Sequence, residues 1–210
     1  MPSLAIVSPV GHLTISARNG LVQGIEFGAD DSCPTVGTIP VTPQLEGVLE
    51  APATGDLGDL DTFAAGVINS SRELGFSAPD NKVLADCAIQ LGSYFCGVRR
   101  QFALPLAFPR ANRLRDQVHR FLPLIGYGKT ITYGEIAARL SKPKAARAVG
   151  TACGKNQLPI VVPCHRVLPA GGSLDGNIGG YTGGAAGGPN IKRALLRLEY
   201  HVERQARLAC

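Results

Sequence analysis

The chain opens with strand-like alternation of apolar and polar positions. Leu4 to Val7, Leu13 to Ile15 and Leu21 to Phe27 each put apolar residues on one face of an extended segment. Gly11 and the Asn19-Gly20 pair supply the turns between them, and Asn-Gly is a strong hairpin signal. This predicts a small antiparallel meander. From residue 28 to 81 the pattern dissolves into Gly, Pro, Asp, Thr and Ser, which reads as a long surface insertion with one short helix over Leu57 to Ile68. Helical periodicity then begins. Asp80 is placed to cap a helix from Asn81 to Phe95, whose apolar face carries Leu84, Cys87, Ala88, Leu91, Tyr94 and Phe95. Gln101 to Leu104 reads as a short strand and Pro105 to Pro109 as a linker. Leu114, Val118, Phe121 and Leu122 form the stripe of a further helix.

Thr132 and Glu135 stand at capping-box spacing, so a helix should begin at Tyr133 and end near Ser141. Pro143 suits the first position of the next helix, expected to run to about Cys153. Two short helices joined by a tight turn make a helix-turn-helix. The β-branched run Ile160 to Val162 reads as a buried extended segment that stops at Pro163, which has no N–H to donate. A glycine-rich stretch, Gly171 to Gly188, follows. Pro189 opens a last helix with Ile191, Ala194, Leu195 and Leu198 inward and Glu199 near its end.

Charge divides the chain. Residues 1–105 hold 5 Lys/Arg and 11 Asp/Glu, net −6, whereas residues 106–210 hold 16 and 5, net +11. With 210 residues, this suggests two domains, 1–105 and 106–210, the second suited to a polyanion or simply presenting a solvated basic surface. No apolar stretch is long enough to span a bilayer, and the first residues lack the basic start and apolar run of a signal peptide. Six cysteines are scattered without paired or zinc-knuckle spacing, which fits a reducing compartment, cytoplasmic or nuclear.

Candidate chemistry centres on Pro163-Cys164-His165-Arg166. A thiol is a strong nucleophile as its thiolate, which neighbouring cationic or proton-accepting groups favour. The bland reading is a buried, inert cysteine beside a satisfied histidine. The second helix of the helix-turn-helix is made of Ala145, Ala146, Ala148, Gly150, Thr151 and Ala152 around a single arginine, Arg147. Such a face lacks the side chains that read base edges and suits close backbone approach instead. The glycine-rich stretch has no Gly-Lys-Ser/Thr, so a triphosphate loop is not expected.

The segment Asn156 to Val167 resembles the active-site motif of the O6-alkylguanine-DNA alkyltransferases. The likeness extends to Ile131–Ala137, Pro143–Gly150, Gly180–Gly184 and Lys192–Glu199. It departs at Ala111 to His119, where Leu114 and His119 stand in place of two aromatics. The resemblance implies an α/β (α+β) fold of two domains. The first would be a small antiparallel sheet with a helix, ribonuclease H-like, with 28–81 a variable insertion. The second would be a mostly helical winged helix-turn-helix domain carrying the reactive cysteine.

It further implies direct repair of alkylated double-stranded DNA. The helix with Ala145, Ala146, Gly150 and Thr151 would enter the minor groove, and Arg147 would fill the gap left by an extruded nucleotide. Cys164 would take the alkyl group from guanine O6, His165 the thiol proton, and Glu199 would orient the histidine. Asn156 would brace the site and Tyr133 would donate toward guanine N3. Val167 and Thr182 would contact the base, with Tyr181 and Pro159 walling the pocket. The thioether product is stable, so each molecule, a monomer, would act once without a cofactor. No zinc is expected, because His12 and Cys33 fall short of four ligands. Three rival functions compete with repair. A lesion-binding relative would lack the cysteine and usually carry tryptophan, which this chain does not contain. A transcription factor would need base-reading side chains on the small-residue helix. A cysteine hydrolase would need its own motif around Cys164, and none is present.

Overall fold

A computed structural model describes residues 1–28, 33–40, 59–108, 113–180 and 188–209. The chain divides into two compact units, Met1–Ala107 and Phe108–Cys210.

The first unit is built on the meander. β1 (Ser3–Ser8), β2 (Gly11–Arg18) and β3 (Leu21–Phe27) pair antiparallel, with Ser3 opposite Ser16 and Arg18 opposite Leu21. Asn19 and Gly20 take φ of 55° and 71°, the left-handed pair that a two-residue hairpin turn needs. The sheet is not purely antiparallel. A fourth strand, β4 (Thr35–Thr38), pairs parallel to β1, giving the order β3-β2-β1-β4. It lies inside the stretch read as a loose insertion. The short helix expected there is α1 (Leu60–Glu73), longer than predicted and capped by Asp59.

α2 (Ala78–Phe95) starts three residues before the predicted point, because Ser77 is its cap and Pro79 sits in its first turn. Asp80 is therefore inside the helix, where it does a different job. Its carboxylate accepts from the Gly20 amide at 2.7 Å and the Ser77 hydroxyl at 2.9 Å, tying the helix start to the β2–β3 turn. The α1 ring of Phe63 fits between Gly37 of β4 and Gly92 of α2; a Cβ at Gly92 would meet it at 2.6 Å. The expected strand over Gln101 to Leu104 is irregular chain, and just after it a bridge between Leu106 and Val22 joins the chain to β3. Its apolar character is used in side-chain packing, such as Phe102 against Tyr94, rather than in a ladder.

The second unit is mostly helical. α3 (Leu114–Phe121) buries Val118 and also His119, whose Nε2 lies 2.8 Å from the Ala152 carbonyl. β5 (Ile131–Thr132) leads into α4 (Tyr133–Arg139) through the predicted capping box, with both reciprocal bonds formed between Thr132 and Glu135. Ser141 ends α4 in the left-handed region, φ 58°, so that Ser141 and Lys142 return hydrogen bonds to Ala138 and Ala137. α5 (Ala146–Gly154) begins three residues after Pro143. The proline instead occupies a turn closed by the Ala145 amide on the Lys142 carbonyl at 2.8 Å, a position its fixed φ favours.

β6 (Val167–Leu168) pairs parallel to β5, and α6 (Gly188–Leu208) buries Leu195, Leu196 and Leu198. Glu199 lies in the middle of α6, not near its end, because the helix continues nine residues further to Leu208. Among the described residues no helix is long and apolar enough to cross a membrane. The Asp80 anchor yields an expectation. Asp80→Ala leaves the Gly20 amide unpaired and weakens the helix start, costing about 1–3 kcal/mol. Urea denaturation should show a lower midpoint at unchanged slope.

Candidate active site

The thiol of Cys164 is positioned by a chain reversal rather than by a strand. Ile160, Val161 and Val162 are buried but follow no ladder. Val161 N–H closes on the Pro159 carbonyl at 2.9 Å around Ile160, which has φ 71°. Cys164 N–H closes on the Val162 carbonyl at 2.8 Å around Pro163. A β-branched residue at positive φ is strained, by about 1–3 kcal/mol. The Ile160 side chain is fully buried, which offsets that strain with about 1.5–3 kcal/mol of apolar transfer. Asn156 stitches the reversal together. Its Nδ2 donates to the Val162 carbonyl at 2.7 Å and to Cys164 Sγ at 3.1 Å, while its Oδ1 accepts from the Leu158 amide at 3.1 Å.

Cys164, His165 and Arg166 form a single 3-10 turn, and all three are buried. The turn sends the histidine and the arginine toward α6. Glu199, with no exposed surface, accepts from His165 Nε2 at 2.8 Å, from Arg166 Nε and Nη2 at 2.9 Å each, and from the Gly128 amide at 3.0 Å. Arg166 Nη1 donates to the Ile125 carbonyl at 2.6 Å, and its guanidinium lies over the Tyr127 ring. Burial works against the Glu199 carboxylate. The imidazole and guanidinium together outweigh that and hold its pKa at about 2. Burial dominates at His165 and pushes its pKa below the ordinary imidazole value, with Glu199 opposing. An ionised carboxylate only accepts, so Nε2 carries the proton of a neutral His165 and Nδ1 presents a lone pair. That Nδ1 is buried and has no hydrogen-bond partner among the described residues.

A cavity of about 550 Å³ opens on the other side of the thiol. It is lined by Cys164, Asn156 and Pro159, by Tyr133 at the start of α4, and by Ala146, Arg147, Gly150 and Cys153 of α5. This is the size of a small-molecule site. Burial, with the nearby Cys153 and Cys164 sulfurs, raises the Tyr133 phenol to about 12, so it remains a donor at neutral pH. Lys192 is wholly buried between the Val167 carbonyl, 2.7 Å from Nζ, and the Tyr133 ring, 5.9 Å away. Burial lowers its pKa to about 8, while the Cys164 and Cys153 sulfurs work in the opposite direction.

The structure thus brings Cys164, Asn156, Tyr133, Pro159, Ala146, Arg147 and Gly150 to one cavity, with His165 and Glu199 behind it. Ala145 caps α5 and lines a separate surface hollow. Thr151 is on another face of α5, and the Val167 carbonyl is engaged by Lys192. Tyr181 and Thr182 lie outside the described residues. Sequence reasoning placed Arg166 beside the thiol, but the 3-10 turn commits it to Glu199. It missed Lys192, Cys153 and Gly128. Lys192 left a signal: Gly188, Lys192, Leu195 and Glu199 share one stripe of α6, and charges on an apolar stripe mark buried polar partners.

The profile described as 6-O-methylguanine DNA methyltransferase, DNA binding domain, matches residues 113–201. The methylated-DNA–protein-cysteine methyltransferase of Mycobacterium bovis is 43% identical over 121 residues, 58% of this chain and 68% of that protein. The constitutive methylated-DNA–protein-cysteine methyltransferase of Bacillus subtilis is 41% identical over 116 residues, 55% of this chain and 66% of that protein. The crystal structure of Mycobacterium tuberculosis OGT in complex with DNA is similar with a TM-score of 0.63 and 27% identity, over 95% of this chain and 93% of that one.

The buried acid cluster sets a pH expectation. Both His165 and Glu199 have depressed folded-state values, so both contribute stability that falls as pH falls. The loss begins below the ordinary imidazole value of 6.5 and steepens between the ordinary carboxylate value of 4.5 and about 2. Glu199→Gln leaves Arg166 buried without a counter-charge, costing about 3–5 kcal/mol at neutral pH, and flattens the acid limb. Chemical denaturation from pH 3 to 8 measures both effects.

Proposed function

The chain belongs to the methylated-DNA–protein-cysteine methyltransferase family, and from that premise we propose that Cys164 accepts the alkyl group of O6-alkylguanine in double-stranded DNA. The activity is DNA repair by alkyl transfer, with DNA as the partner. The observation that carries the assignment of the residue is the thiol on the cavity wall, with Asn156 at 3.1 Å and the His165–Glu199 pair behind it. A protein that only binds lesions would have no use for that arrangement.

A lesion inside the duplex is beyond reach of the thiol, so the nucleotide must leave the stack. In our reading α5 docks in the minor groove. Arg147 and Thr151 are exposed on it, its remaining residues are small, and backbone can approach closely. Arg147, exposed at the cavity rim and without a side-chain partner among the described residues, takes the vacated position in the stack. The extruded base enters the cavity, with Tyr133 donating to guanine N3 and Pro159 as a wall. The Cys164 proton passes through a water to His165 Nδ1, the unpartnered lone pair, and the Glu199 carboxylate stabilises the imidazolium that forms. Sγ attacks the alkyl carbon, the carbon–O6 bond breaks, and its electron pair remains on the guanine, which gains one proton. Lys192 adds a positive charge beside the developing thiolate. The thioether has no hydrolytic step, so each molecule reacts once.

The unit Phe108–Cys210 would then be the DNA-binding and alkyl-transfer domain, of winged helix-turn-helix type, and Met1–Ala107 a structural domain. The order β3-β2-β1-β4, three antiparallel strands and a fourth parallel to the first, supports a ribonuclease H-like reading of the latter.

Incubation with an O6-methylguanine duplex should add one methyl to the intact mass, located on Cys164. Cys164→Ala should abolish transfer and retain duplex binding; residual transfer by that variant would reassign the nucleophile. Arg147→Ala should slow transfer from duplex at saturation far more than transfer from free O6-benzylguanine, since a free base needs no extrusion. A phosphate contact alone would instead weaken duplex binding and leave the saturated rate unchanged. Equal slowing of both substrates would reject the stack-filling role.

A further inference from the structure

We propose that a second cleft of the Phe108–Cys210 unit, between the start of α3 and the end of α5, seats a backbone phosphate of the bound duplex. The proposal rests on the DNA-repair reading above and adds to it a contact outside the base cavity. The cleft, about 360 Å³, is lined by Arg113, Arg115 and Lys155 and floored by Ala148, Thr151 and Ala152 of α5. Arg113 and Lys155 are exposed and have no carboxylate partner among the described residues. Arg115 is pinned from behind. Its Nε donates to Asp116 Oδ1 at 3.3 Å, and Asp116 is 1% exposed. Three cations against one buried carboxylate leave the rim positive. The Nε bond also orients the guanidinium, and such a planar fork matches phosphate oxygens.

A second observation points to an anion. Arg113 is the residue before α3 and makes no side-chain cap bond among the described residues, and Leu114 and Arg115 of the first turn line the cleft, so the positive end of the helix dipole lies at its edge. The Thr151 hydroxyl donates to the Arg147 carbonyl at 3.2 Å, so the cations do the binding. Placement fits the same duplex. From Arg147 to Lys155 the helix rises about 12 Å, the length of three to four nucleotides at roughly 3.4 Å each. A duplex lying along α5 with Arg147 in its stack therefore brings backbone within reach of Lys155.

The test uses the full chain and a short undamaged duplex, with affinity measured by fluorescence anisotropy over a salt series. Neutralising one phosphate contributes about 0.9 to the slope of log affinity against log salt. Arg113→Ala with Lys155→Ala should lower the slope by about that amount, while Arg204→Ala with Arg207→Ala on α6 should not. A single neutral methylphosphonate, moved along the duplex, should find one linkage whose penalty in the wild type vanishes in the first double variant. An unchanged slope, an equal fall in both double variants, or a penalty that persists would overturn the proposal. If the wild type fails to bind duplex at all, the underlying repair reading falls with it. Should the alanine pair lower the unfolding midpoint, Arg113→Gln with Lys155→Gln supplies the same readout.

Discussion

The second unit depends on one buried carboxylate. Glu199 gathers an imidazole and a guanidinium from one 3-10 turn and a backbone amide from a second segment, and it has no exposed surface. An ion of this kind is costly to bury and expensive to leave half-satisfied. That asymmetry gives the arrangement its rigidity: no member can leave without stranding another. Gly128 has φ 64° and its missing Cβ would lie 2.5 Å from Glu203, so a side chain there would push on the same stretch of α6. The position of the thiol is therefore inherited. It is one residue from an imidazole that cannot move.

On the thiol's other side the constraint is softer. Asn156 holds the reversal through three hydrogen bonds, one of which ends on the sulfur itself. The strained Ile160 is tolerated because that amide side chain and the apolar surroundings over-determine the turn. Rigid support behind and the Asn156 brace in front leave the sulfur facing a cavity large enough for a purine-sized ligand.

Local codes in the sequence were readable, and pairings over distance were not. The Thr132–Glu135 capping box is complete within four residues, so α4 was visible at once. The Asn19-Gly20 turn was equally plain. An apolar run such as Ile160 to Val162 looks the same in a strand and in a buried turn, and what decides it is the reach of Asn156. β4 is four residues long and exists only through its pairing with β1, more than 25 residues away. At the site, the motif located Cys164, His165 and Glu199. It could not show that Arg166 turns from the thiol to Glu199, because that follows from the single 3-10 turn between them. Lys192 has no role legible in the sequence, because its bond to the Val167 carbonyl depends on where α6 packs.

The polar groups described around the thiol, from Ile125 to Glu199, come from one continuous stretch of chain within one compact unit. The matched family profile, 113–201, has nearly the same limits. Chemistry written on so short a stretch can be inherited as a block. The first unit, which among the described residues contributes no group to that cluster, is then free to diverge: its insertions and strand lengths can drift over generations, provided its own sheet still closes.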